Sequence, residues 1–269
     1  MGATLTVIGS GTLRPSGVRS SPCHLLEAGS MSMLLDVGPG SVHGLARLGK
    51  PWWAVSDVIL SHYHTDHMGD LAHLLFALKW ASPEPRSHPL DVIGPPGLQD
   101  RIGHLAAAHG PFFHEQSFPL RYTEQPRNGS WPARDDVTLS FHPTPHTEES
   151  VAIRVSGADW TLGYTGDTGP DDDVADFLAG CDILICECGY GDPPPAPHHL
   201  SPKGVAALAR SAKPGLLVLT HVYPPLRPQD APGEVARAGY EGRVVAGEDG
   251  LALSLGADRS PLLGSPTMR

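Results

Sequence analysis

The stretch Leu60-Ser61-His62-Tyr63-His64-Thr65-Asp66-His67-Met68-Gly69-Asp70 constrains this chain more than any other. It is an H-x-H-x-D-H cluster, with four metal-ligand side chains inside six residues. Val58, Ile59 and Leu60 ahead of it read as the end of a buried strand. Behind it, Leu71, Leu74, Leu75 and Leu78 follow the i, i+3, i+4, i+7 spacing of an amphipathic helix. The cluster is therefore a strand-to-helix turn. Extended backbone points the i, i+2 pair His62 and His64 to one side, as two ligands of one ion require. Asp66 and His67 are adjacent and diverge in regular structure, which suits them to a second ion beside the first. Imidazole nitrogens with a carboxylate oxygen select a borderline metal, zinc first, with manganese or iron as alternatives.

The rest of the chain sets limits on what such a site serves. Its 269 residues, 40% hydrophobic and 18% charged, are enough for one large domain, and no composition shift marks a division. The reading is one domain over residues 1–255 with a loosely held tail, 256–269. A net charge of −10 argues against a broad basic face for nucleic acid. Cys23, Cys181, Cys186 and Cys188 form no framework of spaced pairs. The start lacks a signal-peptide pattern and no apolar run reaches membrane-spanning length, so a reduced, cytoplasmic setting is the default expectation. Cys186 and Cys188, on either side of Glu187 in a strand-like run, read as core thiols ahead of metal ligands.

Taken in order, strands are expected at Thr4–Ile8, His24–Glu27, Met33–Val37, Leu90–Ile93, Val137–Phe141, Val151–Val155, Trp160–Tyr164, Asp182–Glu187, Leu216–Thr220, Arg243–Ala246 and Leu251–Leu255. The turn Gly9-Ser10-Gly11-Thr12 either presents amides to a phosphate or simply joins two strands. Asp36, at a strand end, either supports the metal site from beneath or caps its own turn. Residues 111–136 are the least regular and read as a pocket rim or an oligomer contact. Helices are expected at Leu98–Ala108 and Asp172–Ala179, and another begins at Ser201-Pro202, an N-cap followed by a first-turn proline. His199 then sits just outside a helix N-terminus. Strands ending in polar ligand types gather His62, His64, Asp66, His67, His146, Asp167 and His221 from four separate places. His73, His104 and His142 lie on patterns away from them.

These elements together resemble the metallo-β-lactamase superfamily, and within it the ribonuclease Z group, from the Gly9-Ser10-Gly11-Thr12 turn to about Gly250. The resemblance implies an α/β fold, a four-layer αββα sandwich of two mixed sheets with helices outside. It implies that His62, His64 and His146 hold a first metal, that Asp66, His67 and His221 hold a second, and that Asp167 bridges them. Two divalent ions against the carboxylates of Asp66 and Asp167 leave a charge of +2, and a bridging hydroxide leaves +1, which favours an anionic substrate. Ions ~3.5–4 Å apart activate water, whose pKa falls to roughly 7 from 15.7, and stabilise both oxygens of an in-line displacement. Asp66 is then a proton acceptor. Cys186-Glu187-Cys188-Gly189 and His199-Leu200-Ser201 resemble the segments in which a glutamate partners a proton-donating histidine, which assigns Glu187 and His199 to that pair, with His198 the rival donor.

One departure shapes the functional expectation. Many ribonuclease Z proteins insert a long basic arm that grips tRNA between the counterparts of His146 and Asp167. Here only 20 residues separate them, and tRNA binding rests on cationic contacts to phosphates. The expectation is a dinuclear metal-dependent phosphodiesterase acting on small or activated diesters. The alternatives are a tRNA 3′-end endonuclease and a lactonase or β-lactamase-like hydrolase, with a metal-stabilised scaffold as the non-enzymatic option. The family resemblance also implies a homodimer.

Overall fold

The computed structural model describes residues 2–256. The expected tail therefore lies, beyond Gly256, outside the described residues. The first half of the chain builds one sheet from β1 (Ala3–Gly9), β2 (Cys23–Ala28), β3 (Met31–Leu35), β4 (Asp57–Ile59), β5 (Leu90–Gly94) and β6 (Leu120–Glu124). The second half builds another from β7 (Ser130–Pro132), β8 (Thr138–Pro143), β9 (Val151–Ser156), β10 (Thr161–Tyr164), β11 (Ile183–Glu187), β12 (Leu216–Thr220) and β13 (Val244–Ala246). Strand β14 (Ala252–Leu255) returns to pair antiparallel with β1, giving two seven-stranded sheets. The sheets are mixed: β1–β2–β3 and β7–β8–β9–β10 run antiparallel, whereas β3–β4–β5–β6 and β10–β11–β12–β13 run parallel.

Period-two alternation sorts the strand residues between two faces. Inward positions Leu26, Met33, Leu35, Ile59 and Ile93 of the first sheet meet Phe141, Ile153, Leu162, Ile185 and Val218 of the second. On the outer face of the first sheet, Leu25, Leu34, Val58 and Val92 are covered by α1 (Ser41–Arg47), α3 (Leu71–Trp80) and α4 (Leu98–His109), with the one-turn helix α2 (Thr65–Met68) at the strand tips. The second sheet buries Ala152, Leu184, Leu217 and Leu219 under α5 (Asp172–Phe177), α6 (Pro202–Ala212) and α7 (Ala231–Arg237). The layers are αββα, as expected, because both faces of each sheet carry apolar residues. No helix among the described residues is long and apolar enough to cross a membrane.

Parallel strands direct their carboxyl ends to one edge, and there the loops carrying polar residues collect. Residues 111–136, expected as a pocket rim or an oligomer contact, are more regular than their sequence suggests. They form the edge strands β6 and β7 and a 3-10 turn at Pro111–Phe113, and none of them lines the cavity described below. Prolines and a glycine hid these short strands, since a sheet edge tolerates residues that a central strand excludes.

Candidate metal centre

The carboxyl end of β4 runs straight into the ligand cluster. Ser61 and His62 follow the strand, His64 is the extended residue ahead of α2, and Asp66 and His67 lie within that single turn. Gly38 makes this approach possible: a Cβ there would stand 1.9 Å from the Asp66 carbonyl oxygen. From the other sheet, His146 follows β8, Asp167 follows β10 and His221 follows β12. Gly166, at φ +55, turns the chain so that Asp167 faces inward, and its missing Cβ would meet the Ser61 side chain at 2.9 Å.

The seven expected ligands do converge. Ligand atoms of His62, His64, His146 and Asp167 lie within 4.8 Å of one another, and so do those of Asp66, His67 and His221. Asp167 stands between the groups: its oxygens are 3.3 Å from His67 Nε2, 3.6 Å from His221 Nε2, 3.7 Å from His146 Nε2 and 3.9 Å from His62 Nε2. His64 turns Nδ1 inward, 3.1 Å from His146 Nε2.

Buried polar atoms normally find hydrogen-bond partners. Here His62 Nε2, His67 Nε2 and Asp167 Oδ1 are buried without one. Two imidazole nitrogens and a carboxylate oxygen sharing one interior are costly unless a cation satisfies them. Nitrogen-rich ligands with carboxylates suit a divalent transition metal, so the residues fit the group. The protonation states of His62 and His146 agree with this, and that of His67 does not until its proton is displaced. Burial, reinforced by the neighbouring His67, holds His62 well below the ordinary histidine pKa, and burial pushes His146 down to about 4. Both rings therefore keep lone pairs at neutral pH. Burial opposes charge on His67, yet Asp167 and Asp36 outweigh it and raise its pKa well above normal. Asp167 is likewise held ionised against burial by His221 and His67.

A second layer of contacts orients the ligands, and Asp36 is its centre. Fully buried at φ +57, it accepts hydrogen bonds from Ser61 N (2.7 Å), Ser61 Oγ (2.8 Å) and the Tyr164 hydroxyl (2.6 Å), and stands 2.7 Å from His67 Nδ1. Ser61 Oγ also lies 3.0 Å from His62 Nδ1. An Nδ1–H on each ring leaves Nε2 as the ligand atom. One carboxylate thus orients a histidine in each ligand group, and the reading of Asp36 as a support beneath the site holds. Tyr164 was not foreseen. Its signal was its place as the last strand residue before Thr165-Gly166-Asp167, but period alone shows an inward tyrosine and not its partner. Beside it, His24 is fully buried with neither ring nitrogen bonded. It stands edge-on to Tyr164 at 5.1 Å, and burial lowers its pKa to about 3.

Glu187 and His199 meet as expected. His199 Nδ1 is 3.0 Å from Glu187 Oε1, while Glu187 also accepts from the amides of Thr168, Gly189 and Leu200. Burial works against charge on the His199 ring, but the Glu187 hydrogen bond and charge prevail and raise its pKa. A ring nitrogen of His199 shares a 4.8 Å cluster with Asp167 and His221. The rival, His198, is exposed and gives its carbonyl to His146 Nδ1. Ser201 caps α6 as expected. The Gly9–Thr12 turn is a connection between strands, because the Ser10 amide binds Asp249 and the Gly11 amide binds Ser20. The four cysteines are buried and free, and Cys186 and Cys188 pack in the outer core of the second sheet.

Residues 32–222 match the family model described as the beta-lactamase superfamily domain. The chain belongs to the metallo-β-lactamase superfamily. Within it, the chain is 30% identical over 268 residues to a ribonuclease Z of Mycobacterium sp. strain KMS, covering 91% of this chain and 93% of that one. Its fold superposes on the metallo-β-lactamase fold protein YhfI from Bacillus subtilis with a TM-score of 0.83 at 25% identity, over 94% of this chain and all of the other. The short form of human tRNase Z gives a TM-score of 0.75 at 21% identity, again over 94% and 100%. The protein is a metal-dependent hydrolase related to ribonuclease Z.

Proposed function

We propose that the protein is a dinuclear zinc phosphodiesterase for small or activated diesters. His62, His64 and His146 would hold one ion, Asp66, His67 and His221 the other, with Asp167 shared. Two divalent ions in such a donor set activate water and offset the negative charge of the phosphoryl oxygens. The chain's own groups supply the proton transfers. Asp66, whose Oδ2 faces His221 at 3.3 Å and His67 at 3.8 Å, is placed to accept the proton of the attacking water. The water oxygen bonds to phosphorus, the bond from phosphorus to the leaving oxygen breaks, and His199 gives its proton to that oxygen. Glu187 holds the other side of the ring, and its three amide donors keep it from turning away.

The observation that carries this reading is the buried Glu187–His199 pair aimed at Asp167. A phosphodiester with a poor leaving group needs a proton donor for the departing alkoxide, and the Glu187–His199 pair is the arrangement that the ribonuclease Z resemblance implies for that step. Transfer-RNA processing is the second reading, favoured by the 30% identity to a ribonuclease Z. Against it, the segment joining His146 to Asp167 is filled by β9 and β10, leaving no arm, and the chain carries a charge of −10. We also propose that the protein is a homodimer, as the family resemblance implies.

Initial rates of the zinc-loaded protein on an activated diester, a lactone, a β-lactam and a precursor tRNA, measured side by side, test the assignment. Preference for the simple diester supports it, and accurate tRNA cleavage replaces it with the second reading. His199→Ala should retain zinc and slow esters with poor leaving groups far more than activated ones; equal slowing of both refutes the donor role.

A further inference from the structure

The metal centre has two flanks. On one, a cavity of about 1420 Å³ is lined by His64, Thr65, Asp66 and the loop 13–19. The other carries the proton donor, and neither His198 nor His199 belongs to the cavity wall. His198, directly ahead of the donor, has no task in the mechanism. It is exposed, and its ring makes no hydrogen bond or ion pair among the described residues. Its backbone, by contrast, is fixed. The His198 carbonyl accepts from His146 Nδ1 at 3.1 Å. Gly169 lets the segment pack closely, since a Cβ there would stand 2.3 Å from the Pro197 carbonyl oxygen and 3.3 Å from His198 Cα. The His198 and His199 rings lie side by side on this pinned stretch, with centroids 5.1 Å apart. Ring nitrogens of His146, His198 and His199 fall within 4.8 Å of one another.

The contacts that make His199 an acid also make it a metal ligand. Its Nδ1 is taken by Glu187 Oε1 at 3.0 Å, which leaves Nε2 as the free ring nitrogen. His146, Tyr190 and His221 surround the ring at 4.8, 5.6 and 5.7 Å and fix its plane. An imidazole held by a carboxylate at its far nitrogen has a set tautomer and a raised basicity toward a metal. Tetrahedral zinc, with Zn–N bonds of about 2.0–2.1 Å, needs its nitrogens about 3.4 Å apart. Side-chain rotation of the exposed His198 supplies the difference. His146 is not a third ligand, because it is committed to His62, His64 and Asp167 through one nitrogen and to the His198 carbonyl through the other. Two protein ligands with water therefore make a weaker site than the buried centre.

We propose that His198 and His199 form an additional, weaker site for a divalent ion, zinc first, and that filling it removes the proton donor, so that excess zinc acts as a brake. The brake rests on the phosphodiesterase reading, and the site does not. An ion on His199 Nε2 takes up the electron pair that otherwise holds the transferable proton, and that proton passes to solvent. The bond from phosphorus to the leaving oxygen must then break without protonation. Alkyl esters suffer from this, whereas an activated leaving group carries its negative charge unaided.

The test uses zinc-loaded protein. In equilibrium dialysis against rising zinc, the parent should take up a further ion beyond those retained at low zinc, and His198→Ala should lack that ion while keeping the tightly held ones. Excess zinc should slow the parent about tenfold or more on a diester of an aliphatic alcohol and less than about twofold on a p-nitrophenyl diester. In His198→Ala the zinc concentration that halves the aliphatic rate should rise about tenfold, the effect of losing one of two ligands. Parent and variant with the same zinc uptake overturn the site. Equal slowing of both esters, or slowing indifferent to His198, overturns the brake. A His198-dependent ion in a protein that cleaves neither diester supports the site and overturns the phosphodiesterase reading instead.

Discussion

Tyr164→Phe isolates one atom, the hydroxyl that joins the two sheets at the metal centre. Tyr164 ends β10 of the second sheet, and its 2.6 Å bond reaches Asp36 of the first. The phenylalanine ring keeps the edge-on contact with His24, so packing is nearly conserved. What is lost is a hydrogen bond to a buried carboxylate, worth about 1.5–3 kcal/mol. Asp36 retains Ser61 N, Ser61 Oγ and His67 Nδ1, which places the expected stability loss of the metal-free protein at the lower end of that range. The larger consequence is for metal. Removal of a group that orients ligands lowers metal affinity by about 10–100-fold. Asp36 reaches His67 directly and His62 through Ser61, so both zinc-binding steps should weaken. Chelator-competition titration reads the affinities, and urea denaturation in EDTA reads the fold. A variant that loses stability while binding zinc as tightly as the parent, or that weakens one ion alone, refutes the argument.

Asp167→Ala removes the carboxylate that approaches four histidines, and should abolish zinc retention and turnover together; retained activity in a metal-analysed sample contradicts the shared role. Because Asp167 and Asp36 raise the His67 pKa well above normal, the metal-free chain holds a proton there at pH 7 that zinc must displace. Calorimetric zinc-binding enthalpies should then differ between buffers of different ionisation enthalpy, and buffer-independent enthalpies exclude that release. At the opposite edge of the first sheet, Arg134 pairs with Asp57 at 3.3 Å and Asp91 at 2.7 Å. Burial raises the Asp57 pKa while Arg134 lowers it, so Arg134→Ala should raise it further. A raised carboxyl pKa contributes stability at acid pH that is lost as pH rises through the folded-state value. The variant should therefore lose about 1–3 kcal/mol at pH 7 and less at pH 4.5 by urea denaturation; an equal loss at both pH values shows that Asp57 is not the group responsible.

The ligand set was legible because metal chemistry limits the residue types and strand ends fix their spacing. His62 and His64 were readable from local geometry alone. The strand-end pattern picked out His146, Asp167 and His221 as candidates, but assigning each to an ion required the family resemblance, since nothing in a strand's own sequence names the strand it will face. Helix α6 was legible through Ser201 and Pro202, whose capping chemistry is local. Strands β6 and β7 were not, because Leu120–Glu124 and Ser130–Pro132 are short, half-exposed edges without a strong alternation. The cavity was equally hidden. Leu13, Arg14 and Val18 look like ordinary loop residues until Asp249, more than 200 residues away, pins the loop over Pro39 and Leu48.

The least legible feature is backbone conformation at the site. Asp36, Gly166 and His221 sit at φ +57, +55 and +58, each just beyond a strand end and each beside the ligand cluster. For Asp36 and His221, which carry a Cβ, the left-handed region costs about 1–2 kcal/mol each. Such conformations persist only where surrounding structure over-determines them. Here Asp36 N binds the Ile59 carbonyl, His221 N binds the Ser10 carbonyl, and the Asp36 carboxylate is held by four donors. The strands are therefore bent into the site by bonds that do not depend on the ion. A scaffold assembled this way spends folding energy to hold the ligands together in advance, so metal binding need not pay for ordering them. That cost is carried by the buried polar network of Ser61, Tyr164 and Asp36, whose hydrogen bonds run to one another and to His62 and His67.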